Sequence, residues 1–208
     1  MTLATQSDAV AVLRRAWPMI AEECRSVLAG ELHYQAVVYH CLRMVGVPRA
    51  QLGMNVKQYI TNPVSRLFQT LDLRHHPNFK GGFEPIPDVA LFRADISGNW
   101  QRRNCDLTLR HMLLAIEIKA SERQDGRLRQ GEVISDIRKL AAHREEALHS
   151  GAGFYPVMAV VDVAMERTER MTLSSLEASR NAAAAAQVGW LYLSPSTEEV
   201  ALPDVLPD

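Results

Sequence analysis

The apolar positions change period along the chain, and the changes predict its elements. Behind Ser7 and Asp8, either of which can cap a helix, apolar residues recur at helical spacing to about Leu28. Gly30 interrupts that pattern. From Glu31 a second helix carries Tyr34, Val37, Val38, Cys41, Leu42 and Val45, and Gly46 and Pro48 stop it. Residues 53–60 alternate well enough for a strand. Residues 61–85 are mixed, with turn signals at Asn62-Pro63, Pro77-Asn78 and Gly81-Gly82. Residues 86–92 (IPDVALF) predict a second strand, and residues 95–104, holding Ser97-Gly98-Asn99, a loop or hairpin tip. Residues 113–120 (LLAIEIKA) are apolar at most positions, which predicts a central strand. Residues 132–149 predict a helix with Val133, Ile134, Ile137, Leu140, Ala141 and Leu148 on one face. Residues 155–163 (YPVMAVVDV) predict a buried strand. Ser174-Ser175-Leu176-Glu177 fits a capping box for a helix through the alanine tract 182–186, and residues 190–193 (WLYL) predict a last strand.

This order predicts one α/β domain over residues 1–194, with a mixed central sheet flanked by helices. Pro195, Pro203 and Pro207 predict an irregular tail over 195–208. The first three strands are close in sequence and suit a meander. The strand at 155–163 follows a helix, so it should run parallel to the central strand by a right-handed crossover.

The central strand holds two charges inside its apolar run. Glu117 and Lys119 are two residues apart and point to one side, while Leu114, Ile116 and Ile118 point to the other. Such charges are costly on a buried strand unless they are paired or bind something. Pro87-Asp88 places another carboxylate on the preceding strand. If the two strands are neighbours, Asp88, Glu117 and Lys119 converge at one end of the sheet. Two hard carboxylates and a backbone carbonyl, that of Ile118, can hold Mg²⁺ or Mn²⁺ with waters. A cation there suits phosphodiester hydrolysis, with Lys119 orienting water or steadying the growing charge.

Pro87-Asp88 followed by Glu117-Ile118-Lys119 resembles the PD-(D/E)XK nuclease superfamily, over roughly residues 31–163. The resemblance implies a restriction-endonuclease-like αβββαβ core. It implies a Mg²⁺-dependent nuclease with Asp88 and Glu117 as metal ligands and Lys119 as the catalytic lysine. It also implies cleavage that leaves a 5′-phosphate and a 3′-hydroxyl, with DNA ahead of RNA as substrate. The superfamily often adds a glutamate from its first core helix, and Glu31 matches, on the face of Tyr34, Val38 and Cys41. Gln130, Asp136 and Lys139 are accessory candidates on the following helix, although they depart from the Gln…Tyr pattern of the RecB-like branch.

Plainer readings stand beside these. Glu117 and Lys119 could form an exposed edge-strand ion pair, Asp88 a turn after proline, and Glu31 an acid favoured by a helix dipole. Asp136 and Lys139 could be a surface i,i+3 pair. Asp106, in CDLTLR, is a rival metal ligand if that segment is a strand. His75-His76 reads as a solvated loop pair. There is no P-loop, GxGxxG or GxSxG. Two other classes remain open: an inactive nuclease-fold module that binds nucleic acid or protein, and a small-molecule enzyme with a closed apolar pocket.

Composition changes this picture in one respect. The chain has 208 residues, 23 Lys+Arg and 24 Asp+Glu, so its net charge of −1 shows no bias toward nucleic acid. The average hides a gradient: residues 93–144 hold 11 basic and 7 acidic residues, whereas 145–208 hold 3 and 10. Arg93, Arg102, Arg103, Arg123 and Arg127 could therefore track a phosphate backbone. The excess is modest, so targeting would come from a homodimer or a partner. Cys24, Cys41 and Cys105 are odd in number and widely spaced, as expected of free thiols in a reducing cytosol. The N-terminus does not read as a signal peptide and no apolar run suits a membrane span, so the expectation is a cytoplasmic protein.

Overall fold

The structure is a computed structural model that describes residues 2–72, 83–101, 104–123 and 126–203. Its elements are α1 (Gln6–Ser26), α2 (Glu31–Met44), β1 (Leu52–Met54), α3 (Arg66–Asp72), β2 (Val89–Phe92) and α4 (Cys105–Arg110). There follow β3 (Met112–Ala120), α5 (Gln130–His149), β4 (Tyr155–Val161), α6 (Leu173–Ala185), β5 (Gly189–Leu193) and β6 (Glu198–Ala201). The six strands form one mixed sheet in the order β1-β2-β3-β4-β5-β6. β1, β2 and β3 are antiparallel neighbours, β3, β4 and β5 are parallel, and β6 turns back antiparallel to β5. The α/β class, the meander and the parallel placement of β4 agree with the hydrophobic pattern. Among the described residues no helix is long and apolar enough to cross a membrane.

Each face of the sheet carries its own core. Leu114, Ile116 and Ile118 of β3, with Val157 and Ala159 of β4, pack against α1 and α2 through residues such as Ala16, Ile20, Val38 and Leu42. Ala90, Ala115, Met158, Val160 and Trp190 face the other way, onto Val133, Ile137 and Leu140 of α5 and Ala183 of α6. Leu113, Leu114, Ile116 and Ile118 are each at most 1% exposed. At about 1.5–3 kcal/mol per fully buried aliphatic side chain, these four hold β3 in place despite its two charges. The three cysteines are free, with Cys24 and Cys41 buried and Cys105 half-buried. Burial pushes the Cys24 thiol up to about 12.

Several boundaries move for identifiable reasons. Thr5 caps α1, and Asp8 closes the capping box from inside the helix, so neither Ser7 nor Asp8 is the cap. The strand expected over 53–60 ends at Met54, because Asn55 turns left-handed with φ 53°. Beyond it Gln58 and Ile60 donate their N–H groups to Pro85 and Phe83 without regular pairing. β2 starts at Val89 rather than Ile86; Pro85 and Pro87 have no N–H to offer a ladder. CDLTLR is the helix α4, with Thr108 and Leu109 inward. Thr172, not Ser174, caps α6 and accepts the Ser175 N–H at 3.1 Å. The tail expected to be irregular contains β6, because Ser194 and Thr197 close a tight turn that returns the chain alongside β5.

Candidate functional site

Strand alternation turns Ala115, Glu117 and Lys119 toward α5, on the face opposite Ile116 and Ile118. Val89 of β2 pairs with Ile116 of β3. Carrying that register one residue outward sets Asp88 across from Glu117, and one further sets Pro87 across from Ile118. Proline cannot donate, so regular pairing stops there. The Asp88 side chain takes over: its Oδ2 accepts the Ile118 N–H at 2.7 Å. On a strand, the N–H and C=O of one residue point to the same neighbour. The Ile118 carbonyl therefore faces the same edge, beside Asp88. Asp88 is buried, and its Oδ1 accepts from Nε2 of Gln35 on α2 at 2.7 Å.

Lys119 Nζ lies 3.2 Å from Glu31 Oε2 and 3.2 Å from Asp136 Oδ2. The other Asp136 oxygen is 2.7 Å from Lys139 Nζ, so one buried carboxylate bridges two ammonium groups. Glu31 is the first residue of α2, and its backbone N–H is capped by Glu122 Oε2 at 2.8 Å. A Cβ at Gly30 would meet that Glu122 carboxylate and push it aside. The loop after β3 thus locks the start of α2 and aims Glu31 at Lys119.

The charges shift accordingly. Burial pushes the Asp88 carboxyl up to about 6, against the Ile118 hydrogen bond and the Lys119 charge. Burial also pushes Glu117 up to about 8, with further repulsion from Asp88 and Asp136. Neighbouring carboxylates, Asp136 among them, add repulsion to the pair, and Lys119 and Lys139 offset part of it. For Lys119, burial opposes the ammonium, but Asp136 and Glu31 outweigh it and raise its pKa above the ordinary lysine value. Lys119 is thus held as an ammonium between Glu31 and Asp136.

A cleft of about 520 Å³ opens over Lys119 and its carboxylate partners, lined by Glu31, Lys119, Arg123, Glu132, Asp136 and Lys139 among others. A second pocket of about 280 Å³ adjoins it, sharing Asp136 and Lys139 and bringing in Glu117, Phe83 and Pro87. Charged side chains line most of the cleft; a larger, mainly apolar pocket of about 830 Å³ lies elsewhere, between α3, α5 and α6.

The structure gathers Asp88, Glu117, Lys119, Glu31, Asp136, Lys139 and the Ile118 carbonyl at one end of β3. The remaining candidates scatter. Arg123 is exposed on the cleft rim and bonds Glu132 at 2.7 Å. Arg127 is half-buried in the loop before α5, and Gln130 is exposed at the first residue of α5. Arg93 follows the far end of β2, about 16 Å of strand from Asp88, so it lies away from the carboxylates. Asp106 is exposed on α4, which enters β3 at its opposite end, and this removes it as a rival ligand. Arg102, Arg103, His75 and His76 lie outside the described residues.

Sequence reasoning missed Gln35 and Asn55. Gln35 falls one helical turn after Glu31 and so shares its face, a signal the spacing contained. Asn55 Nδ2 donates to Gln35 Oε1 at 3.1 Å, and the Asn55 N–H donates to the Asp88 carbonyl at 3.0 Å.

Among the described residues no group of three or more His, Cys, Asp or Glu side chains is arranged to hold a metal ion. The available donors are the Asp88 and Glu117 carboxylates and the Ile118 carbonyl, all hard oxygens. Such a set suits Mg²⁺ or Mn²⁺, which keep several waters, rather than a closed zinc site. Burial and mutual repulsion make it costly to ionise both carboxylates, and a dication would offset that cost, so the hard-oxygen donors fit the ion. Comparison of the chain with protein-family models, with curated proteins and with solved structures found no match.

Proposed function

We propose that this protein is a metal-dependent nuclease that hydrolyses phosphodiester bonds of nucleic acid, DNA ahead of RNA. The observation that supports this most is the hydrogen bond from the Ile118 N–H to Asp88, beside Glu117 and Lys119. It brings two carboxylates, a strand carbonyl and a lysine from two strands to one point. The run α2, β1, β2, β3, α5, β4 also has the αβββαβ order of the restriction-endonuclease-like fold, with α3 and α4 as additions. Its strand directions, three antiparallel and then one parallel, suit the same fold.

In this reading Asp88, Glu117 and the Ile118 carbonyl would hold Mg²⁺ or Mn²⁺. The ion, when bound, supplies Lewis-acid polarisation of the phosphate and eases deprotonation of water. Lys119 stays protonated and places its positive charge where the phosphate gains negative charge. Glu31 and Asp136 hold that ammonium from two sides and limit its wandering. Lys139 and Arg123, on the cleft wall and rim, offer charge to the flanking backbone.

A second reading, an inactive nuclease-fold module that binds nucleic acid or protein, draws support from one observation. Lys119 is held between two carboxylates while both Asp88 oxygens already accept hydrogen bonds. Incubation with plasmid DNA and Mn²⁺, with an EDTA control, separates the two. Cleavage lost in EDTA supports the nuclease; binding without cleavage at any Mn²⁺ concentration supports the module.

A further inference from the structure

We infer that Gln35 and Asn55 are positioning residues that preset the Asp88 carboxylate for a hard divalent cation; this rests on the nuclease reading. Three hydrogen bonds close a ring around Asp88. The Asn55 N–H donates to the Asp88 carbonyl at 3.0 Å, which fixes the backbone where β2 begins. Asn55 Nδ2 donates to Gln35 Oε1 at 3.1 Å, which orients the Gln35 amide with its nitrogen toward Asp88. Gln35 Nε2 then donates to Asp88 Oδ1 at 2.7 Å. With the Ile118 N–H on Oδ2, both carboxylate oxygens are held and the plane of the group is set.

Each Asp88 oxygen accepts one hydrogen bond in this arrangement, and a carboxylate oxygen has a second lone pair. A cation can therefore bind without breaking the ring. Gln35 is 8% exposed and comes from α2, the helix that also delivers Glu31. One helix thus sets both Asp88 and Lys119. Asn55 holds φ 53°, a conformation asparagine tolerates better than most residues. That turn aims its N–H at Asp88 and its side chain at Gln35.

Outer hydrogen bonds to metal-binding carboxylates typically change metal affinity by roughly 10–100-fold when removed. The test is the affinity of the full chain for Mn²⁺, read from the electron paramagnetic resonance of free Mn²⁺. It compares the wild type with Gln35→Met, Asn55→Gly, the double variant and Asp88→Asn. Gln35→Met keeps the length of the side chain and removes the donor. Asn55→Gly removes only the amide and keeps the N–H, at an exposed position whose backbone favours glycine. If Gln35→Met fails to give a cooperative thermal transition, Asn55→Gly carries the test.

The expected result is a loss of roughly tenfold for Gln35→Met and a smaller loss for Asn55→Gly. The double variant should match Gln35→Met, because the two residues act in series. Wild-type affinity in Gln35→Met, or losses that multiply in the double variant, overturns the inference alone. No Mn²⁺ binding by the wild type, or binding that Asp88→Asn leaves intact, overturns the cation reading and this inference with it.

Discussion

Asp88 accepts the Ile118 backbone N–H at 2.7 Å, in the place where Pro87 would otherwise face Ile118 across the sheet. The proline ends the ladder and the aspartate replaces it with a side-chain hydrogen bond. Side chain and backbone of β2 and β3 are thereby joined at the point where the charges collect. Ladder pairing ends at Val89 and Ile116, and the side-chain hydrogen bond to Ile118 fixes Asp88 beside Glu117 from there.

The crowding of carboxylates has a cost in stability. Glu117 holds its proton up to about pH 8 in the folded chain, against an ordinary value of 4.5. The folded state binds the proton more tightly than the unfolded state, so stability falls as pH rises from about 4.5 to about 8. Without divalent cation, Glu117→Gln should therefore unfold at a higher temperature than wild type at pH 8.5. The gain should be a few kcal/mol, at roughly 2–4 °C per kcal/mol for a chain of this size. At pH 4 the two should melt together. Calorimetry at the two pH values checks this, and an equal gain at both would show that ionisation is not the cause.

His143 gives the opposite slope on the acid side. It is fully enclosed between Phe68 and Phe154, with Nε2 against Gln58 Oε1, and burial pushes its pKa down to about 3. The unfolded chain takes up a proton near pH 6.5 and the folded chain does not, so stability is lost as pH falls from about 6.5 toward 3. Urea unfolding of wild type and His143→Phe across pH 4–7 should show a steeper acid loss in the wild type. Parallel curves would mean that His143 is solvated.

Lys119 cannot act as a proton acceptor at ordinary pH. Asp136 and Glu31 raise its pKa above the ordinary lysine value, which favours the ammonium. The cleavage rate should show no fall between pH 8 and 10 from a lysine. A falling limb in that range that disappears in Lys119→Arg would contradict the fixed-cation role.

Nucleic-acid binding should depend on salt only modestly. The cleft offers Lys119, Arg123 and Lys139, of which two already pair with Asp136. Two to three phosphate contacts give a slope of log K against log salt of roughly −2 to −3. Filter binding in EDTA across 50–200 mM salt measures it. A slope near −8 would require a basic surface that this cleft does not contain.

The strands of the sheet were legible because the apolar runs of β3 and β4 have no other reading, and Glu117 and Lys119 stand out inside one of them. The approach of Asp88 to Glu117 was expected only if their strands were neighbours, and β2 and β3 are. What stayed hidden depends on contacts between distant segments. Asn55 ended β1 by a left-handed turn that its alternating neighbours concealed. CDLTLR fits either period over six residues, and only its packing decides for helix. Basic charge was visible as a count, but its placement was not: Arg93 lies at the wrong end of β2, a fact set by strand direction. Gln35 carried a signal at one turn from Glu31, but an uncharged amide drew no attention beside four charged candidates.

The central claim is cation-dependent hydrolysis that needs Lys119. The most direct measurement incubates wild type and Lys119→Ala with supercoiled, linear and single-stranded DNA and with RNA, each with Mn²⁺ and with EDTA. Wild type should cleave at least one DNA substrate in Mn²⁺ only, leaving 5′-phosphate and 3′-hydroxyl ends. Lys119→Ala should retain cooperative folding and lose cleavage. Full activity in Lys119→Ala or in EDTA, or no cleavage of any substrate by the wild type, would contradict it.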